Sequence, residues 1–318
     1  MLPIPSTALP GAPARVLVFA YMRPGHLQRT LASLLANAEA AATHVTIYCD
    51  AAKRPEHRAA VDEVRRCVES VSGFASVTRV YRAENMGLAR SIVQGVTETL
   101  CTHDRVIVLE DDLELSPHFL RYMNDGLNCY RDDEQVASIH GYCYATDTPL
   151  PETFFLKGAD CWGWATWSRA WAHFEPDGRR LLAGVRAKRL AHEIDYDANY
   201  PHMKILRRQI SGNNDSWAIR WHVSCYLQDM LTLYPGRSLV DNIGHDDSGT
   251  NCRTGDAFSG ELTARAVTVE RIELAPSDEA RAAIVKFFRA RKRNVFQKLL
   301  EQLERRVNKA TNPAATPR

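Results

Sequence analysis

Three consecutive acids, Glu110-Asp111-Asp112, directly follow the run Val106-Ile107-Val108-Leu109. A short apolar run rich in β-branched residues reads as a buried strand. Three carboxyls at the end of such a strand repel one another and resist desolvation unless positive charge joins them. Mg²⁺ and Mn²⁺ answer that need, since they take oxygen ligands and bind through one or two carboxylates plus substrate phosphates. The triplet therefore points to a metal-bridged phosphate compound at a sheet edge. The alternative is a solvated acidic turn before a helix beginning near Ser116-Pro117.

The elements that would position the triplet are legible upstream. Residues 15–21 (RVLVFAY) form a near-continuous apolar strand, broken by Arg23-Pro24-Gly25. Residues 26–38 follow with helical spacing through Leu27, Leu31, Leu34 and Leu35, and Pro24 suits a first helical turn. Residues 44–49 (HVTIYC) are the next strand, closed by Asp50. A helix over 56–71, a strand over 77–81 and a helix over 85–100 complete the series. This alternation predicts an α/β fold with a mostly parallel sheet flanked by helices. Ligands in such sheets bind beyond the carboxyl ends of the strands, where Arg23, Asp50 and the triplet all fall.

After about residue 140 the pattern loosens. Aromatics cluster in residues 161–167 (CWGWATW), and the polar stretch 211–216 (SGNNDS) opens a helix from Trp217 to about Leu231. A Gly-rich segment, residues 242–252 (NIGHDDSGTNC), comes next. Residues 281–309 carry ten Lys/Arg against two Glu, with Phe287, Phe288 and Phe296 among them. The boundaries predicted are a loose leader over 1–14, a nucleotide-binding half over 15–140, a catalytic half over 141–260 and a basic helical extension over 261–318.

The chain has 318 residues, 45% hydrophobic and 25% charged, as in soluble globular proteins. No apolar stretch approaches the roughly 20 residues of a membrane span. A net charge of +2 gives no overall polyanion preference. Eight scattered cysteines without zinc spacing read as free thiols in a reducing cytoplasm.

The first half resembles the nucleotide-sugar-binding half of GT-A glycosyltransferases. Residues 106–122 (VIVLEDDLELSPHFLRY) resemble the EDD region of inverting N-acetylglucosaminyltransferase I-type enzymes and bacterial family 2-like transferases. The likeness extends through the Trp-Gly-Trp segment and Asp215-x-Trp217, over about residues 15–255. It implies a GT-A (Rossmann-like) fold, Mn²⁺ or Mg²⁺, a nucleoside-diphosphate sugar (a UDP-sugar foremost) and a glycan or lipid-linked acceptor. By that resemblance Asp112 is the metal ligand, Asp111 contacts the ribose, Glu110 faces the donor sugar and Asp50 reads the nucleobase. Arg23 resembles a pyrophosphate-contacting arginine, a task suited to a guanidinium fork. Arg90, after Asn85-Met86-Gly87-Leu88-Ala89, resembles a donor-site residue. Asp215 matches the carboxylate base that deprotonates the acceptor hydroxyl, giving inversion. His245 matches a C-terminal histidine that contacts metal or phosphate, although relatives carry it nearer the position held here by Asn251.

Each residue also has a plainer reading. Asp50 and Asp215 precede helices and suit capping. Trp162, Trp164 and Trp167 divide between core packing and a sugar-stacking wall, with Trp162 or Trp164 at the acceptor. Trp217 and Trp221, at i and i+4, read as core. The basic tail is either a solvated helix that packs one face on the body or a membrane-surface helix whose Lys/Arg meet anionic lipid while Phe and Leu insert. The aromatics are not interleaved as a stacking platform, which argues against nucleic acid. The Ala- and Arg-rich composition points to a GC-rich bacterium and surface polysaccharide assembly, with a cytoplasmic enzyme at the inner face of the membrane. The competing functions are a sugar nucleotidylyltransferase and an inactive glycan-binding module. The first wants a Gly-rich phosphate loop after the first strand, where this chain has Tyr21-Met22-Arg23-Pro24-Gly25-His26.

Overall fold

The computed structural model describes residues 12–246 and 262–292. Along the chain the strands are β1 (Arg15–Ala20), β2 (His44–Cys49), β3 (Ser76–Tyr81), β4 (Arg105–Glu110), β5 (Leu113–Leu115), β6 (Val136–His140), β7 (Thr153–Lys157), β8 (Trp164–Trp167), β9 (Leu231–Pro235) and β10 (Val240–Asn242). The helices are α1 (Pro24–Leu35), α2 (Arg58–Glu69), α3 (Leu88–Leu100), α4 (Phe119–Cys129), α5 (Ser168–Trp171), α6 (Gly178–Lys188), α7 (Ala191–Ile194), α8 (His202–Ile210), α9 (Trp217–Leu227) and α10 (Asp278–Arg291).

Eight strands form one sheet in the order β3-β2-β1-β4-β8-β6-β9-β7. The first four are mutually parallel. β8 runs antiparallel to both β4 and β6, β9 parallel to β6, and β7 antiparallel to β9. The expected α/β fold with a mostly parallel sheet is therefore observed. Apolar side chains alternate along β1 to feed both faces. Val16 and Val18 join the layer of α1, α2 and α4 through Leu27, Leu31, Val64 and Phe119. Leu17 and Phe19 join the layer of α3, α5 and α9 through Ile92, Val96, Trp171 and Trp221. Two-faced burial explains why the central strands read as continuous apolar runs. Each fully buried Leu, Ile or Val contributes roughly 1.5–3 kcal/mol of apolar transfer, which fixes the strand ends that carry the site.

One helix boundary is corrected here, and one open alternative is decided. The helix expected from Asn85 begins at Leu88, because residues 85–87 form a turn bound to Asp50. The start of the basic extension, expected either as a helix that packs one face on the body or as a membrane-surface helix, docks on the body. The α10 residues Ile284, Phe287 and Phe288 are buried against Phe154 and Leu156 of β7 and against Tyr196 and Tyr234. Phe287 and Phe288 are thus spent on the core and cannot enter lipid, while residues 293–309 lie outside the described residues. Among the described residues no helix is long and apolar enough to cross a membrane, and the seven described cysteines are free thiols.

Candidate active site

The site forms where β4 ends. Glu110 closes the strand opposite Phe19 of β1, and Asp111 and Asp112 fill the step into β5. β5 pairs with β10, Leu113 opposite Asn242, so the Gly-rich segment reaches the acids directly. The Ile243 amide donates to the Asp112 carbonyl at 2.9 Å. Gly244 follows, its amide held by the Asn242 side chain at 2.9 Å. A side-chain carbon on Gly244 would collide with Asp112 Oδ2 and press on Arg23, so this close approach requires glycine.

Arg23 organises the charges. Its Nη2 atom contacts Asp111 Oδ1 and lies 2.9 Å from Asp112 Oδ2. The Tyr21 amide donates to Asp111 Oδ2 at 3.1 Å, and Thr30 holds the Asp111 carbonyl. Burial alone would lower the Arg23 pKa, but the two aspartates more than offset it and raise it. Burial pushes Asp111 upward against the pull of Arg23. Glu110, half-buried, is pushed up to about 8, chiefly by desolvation and then by the charges of Asp112 and Asp111. One guanidinium therefore leaves the three acids short of positive charge. Among the described residues Asp112 Oδ1 makes no hydrogen bond or ion pair. A carboxylate-rich donor set, an Asp112 oxygen left open among the described residues and a glycine cradle beside it fit a divalent cation of the Mg²⁺ or Mn²⁺ kind.

The structure gathers Glu110, Asp111, Asp112 and Arg23, with Gly244 beside them and His245 next in the chain. The His245 ring lies edge-on to Trp162, centroids 5.6 Å apart, and Trp162 packs edge-on against Tyr142 at 4.8 Å. Asn251 lies outside the described residues. Arg23 was expected on a pyrophosphate but bridges two aspartates, because those buried carboxylates are its nearest counter-charges. Asp50 was expected to read a nucleobase, yet its acceptor positions are filled. Oδ1 takes the amides of Ala51 and Met86, and Oδ2 takes the Gly87 amide and the Asn85 side chain. Two acceptor bonds per oxygen saturate a carboxylate, so Asp50 holds the 85–87 turn. Trp164 was offered as an acceptor-stacking residue. It is fully buried and packs on Trp171, Trp217 and Trp221, where no sugar can reach it.

Asp215 and Arg90 share a surface with none of the three acids. They line a groove of about 420 Å³ along α3, together with Gln94, Glu98 and Arg220. The α9 N-terminus lies there because Trp217 stacks on Trp164 at 5.3 Å, and Trp164 pairs with Val108 of β4. Ser216, not Asp215, is the helix cap, its hydroxyl accepting from the Ile219 amide at 3.3 Å. The Asp215 carboxylate stays 70% exposed and is held by Arg220 at 3.1 Å. Arg220 was missed in the sequence, although an arginine five residues after the acid places it one helical turn into α9. A second cluster, Asp160, His202 and His222, lies apart from the acids and could hold a metal ion. It also escaped the sequence reading, because the three residues share no spacing motif.

No family model matches the chain, and no curated protein sequence does. Solved structures with local similarity include a mannosyltransferase from Pyrobaculum calidifontis in complex with GDP-Man and Mn²⁺ (17% identity, 43% of this chain and 38% of that one, TM-score 0.32). S. aureus TarS 1-349 is similar at 10% identity over 49% of this chain and 47% of that one, TM-score 0.33. GalNAc-T7 with UDP, GalNAc and Mn²⁺ is similar at 12% identity over 52% and 37%, TM-score 0.34. In each case the similarity spans less than half of the solved structure.

Proposed function

We propose that this chain is an inverting, metal-dependent glycosyltransferase that moves a sugar from a nucleoside-diphosphate sugar to a hydroxyl of a glycan or lipid-linked acceptor. The observation that carries the reading is the step from β4 to β5, where two of three adjoining carboxyls share one guanidinium beside a glycine cradle. The resemblance of residues 106–122 to the EDD region of N-acetylglucosaminyltransferase I-type enzymes supports it. A divalent cation, Mn²⁺ or Mg²⁺, held by Asp112 with His245 from the adjoining loop, would neutralise the leaving diphosphate.

The chain's own groups then have separate tasks. Arg23 fixes Asp111 and Asp112 in place. Asp111 meets the ribose and Glu110 the donor sugar, while the turn held by Asp50 borders the base. Trp162 faces the acceptor from beside His245. Arg90 and Asp215 line the groove that admits the acceptor. Asp215 takes the proton of the attacking hydroxyl as the anomeric carbon is approached from the face opposite the diphosphate. Arg220 aims that carboxylate without capping demands competing for it. Surface polysaccharide assembly with a UDP-sugar donor is the setting this reading favours.

Release of nucleoside diphosphate, measured across a panel of nucleotide-sugars with Mn²⁺, tests the proposal. Asp215→Asn should bind the donor like the wild type yet lose turnover by about 10²-fold or more, the usual scale for a positioned base. Near-normal turnover in that variant would remove Asp215 from the mechanism, and no turnover with any nucleotide-sugar would remove the proposal.

A further inference from the structure

Beneath α8 and α9, apart from the acidic site, lies a buried polar cluster. Asp160 sits on the segment that crosses from β7 to β8, His202 opens α8 and His222 lies mid-way along α9. Both histidines are almost fully buried. The Nδ1 atom of His202 lies 2.7 Å from the Ile194 carbonyl, and that of His222 lies 3.0 Å from the Ala159 carbonyl. A carbonyl only accepts, so each Nδ1 carries its hydrogen and each neutral ring presents Nε2 as a lone pair. His222 Nε2 is buried with no hydrogen-bond partner. Asp160 is oriented in the same manner. Its Oδ2 atom accepts from the hydroxyls of Tyr144 at 3.0 Å and Tyr234 at 2.9 Å, and its Oδ1 atom lies 4.0 Å from His222 Nδ1. One donor atom from each of the three side chains falls within 4.8 Å of the others.

We infer that Asp160, His202 and His222 bind a transition-metal ion of the zinc class at a site distinct from the acidic triplet. The donor set carries the argument. Two imidazoles and one carboxylate suit Zn²⁺, whereas Mg²⁺ and Mn²⁺ favour the cluster of carboxylates at the end of β4. The outer contacts carry it further. Metal-binding histidines commonly donate their other ring N–H to a carbonyl, and ligating carboxylates are themselves hydrogen-bonded. Both conditions are met here before any ion arrives. Ligands about 2.0–2.2 Å from a tetrahedral zinc stand roughly 3.3 Å apart, so binding draws the three side chains inward. The two rings now stack at 4.3 Å and 20° and would have to turn toward a common point. Gly158 leaves the space for His222, since a side-chain carbon there would come within 2.7 Å of the ring. The ion would tie α8 and α9 to the crossing segment, which leads on to Trp162 two residues after Asp160.

The test uses the full chain, purified without a polyhistidine tag and stripped with a strong chelator. Zn²⁺ is titrated in competition with a chromophoric chelator, and Co²⁺ is added to a parallel sample for its ligand-field spectrum. The expected result is about one zinc per chain, a rise in thermal midpoint that Mg²⁺ does not reproduce, and a tetrahedral Co²⁺ spectrum. His202→Gln and His222→Gln should each weaken zinc uptake by about 100-fold or more, since disturbing even an outer contact costs 10–100-fold. Asp112→Asn should leave uptake unchanged. The wild-type titration and spectrum stand even if a histidine variant fails to fold. No zinc uptake at micromolar free metal, or uptake that survives both histidine substitutions, would overturn the site.

Discussion

Replacing Arg23 by alanine removes the positive charge shared by Asp111 and Asp112. The side chains of Arg23, Asp111 and Asp112 are 18%, 5% and 7% exposed, so solvent screens their contacts weakly. The Arg23–Asp112 contact at 2.9 Å corresponds to about 6 kcal/mol of Coulomb attraction at an effective dielectric of about 20. Desolvation of the guanidinium offsets part of this, and breaking one side of a buried ion pair costs roughly 3–5 kcal/mol. Spread over a chain of this size, that loss lowers the thermal midpoint by about 5–8 °C. Asp111, already pushed upward by burial, rises further without the guanidinium. A carboxyl whose folded pKa exceeds its unfolded value destabilises above that pKa, and the penalty fades as pH falls through it. The deficit of Arg23→Ala should therefore shrink between pH 7.5 and pH 5. Millimolar Mn²⁺ should also recover part of it, because a cation replaces the missing charge. Urea denaturation at both pH values, with and without Mn²⁺, reads all three effects. A loss under about 1 kcal/mol that responds to neither pH nor Mn²⁺ would refute the charge argument.

Trp164→Ala should cost about 3–5 kcal/mol in denaturant midpoint, as large-to-small core changes do, since Trp164 is enclosed by three tryptophans. Trp162→Ala should cost less than half of that and instead raise the KM for acceptor. Burial pushes His140 down to about 4, against the opposing charge of Asp160. Its neutral form stabilises the fold fully above the unfolded pKa of about 6.5, and roughly 3 kcal/mol is lost as pH falls from there to about 4. Stability curves of the wild type and His140→Phe over that window should differ in slope in the sense that the variant falls less steeply, and parallel curves would contradict it.

The sheet was legible because both of its faces are covered. Val16 to Ala20, Val45 to Cys49 and Val106 to Leu109 are buried on alternate sides, so each strand reads as one apolar run. The acidic step was legible for the same reason, since polar residues can follow such a run only at its end. What was not legible depends on contacts across long sequence distances. Asp50 looks like any residue after a strand, and nothing local reveals that residues 85–87 will fill all its acceptor positions. Arg23 looked available to a ligand because its partners lie nearly ninety residues away. Trp162 and Trp164 are two residues apart in one aromatic cluster, and only the pairing of β8 between β4 and β6 sends Trp164 into the core. The C-terminal segment has a membrane-like composition, yet β7 offers α10 a protein surface first.

The central claim is that Asp112 gathers a divalent cation and a nucleoside diphosphate at the end of β4. Titration calorimetry of UDP and GDP, with and without Mn²⁺, tests it most directly in the wild type and Asp112→Asn. The account predicts diphosphate binding that depends on Mn²⁺ in the wild type and is lost, by about 100-fold or more, in the variant. Equal, Mn²⁺-dependent affinity in both proteins would contradict it.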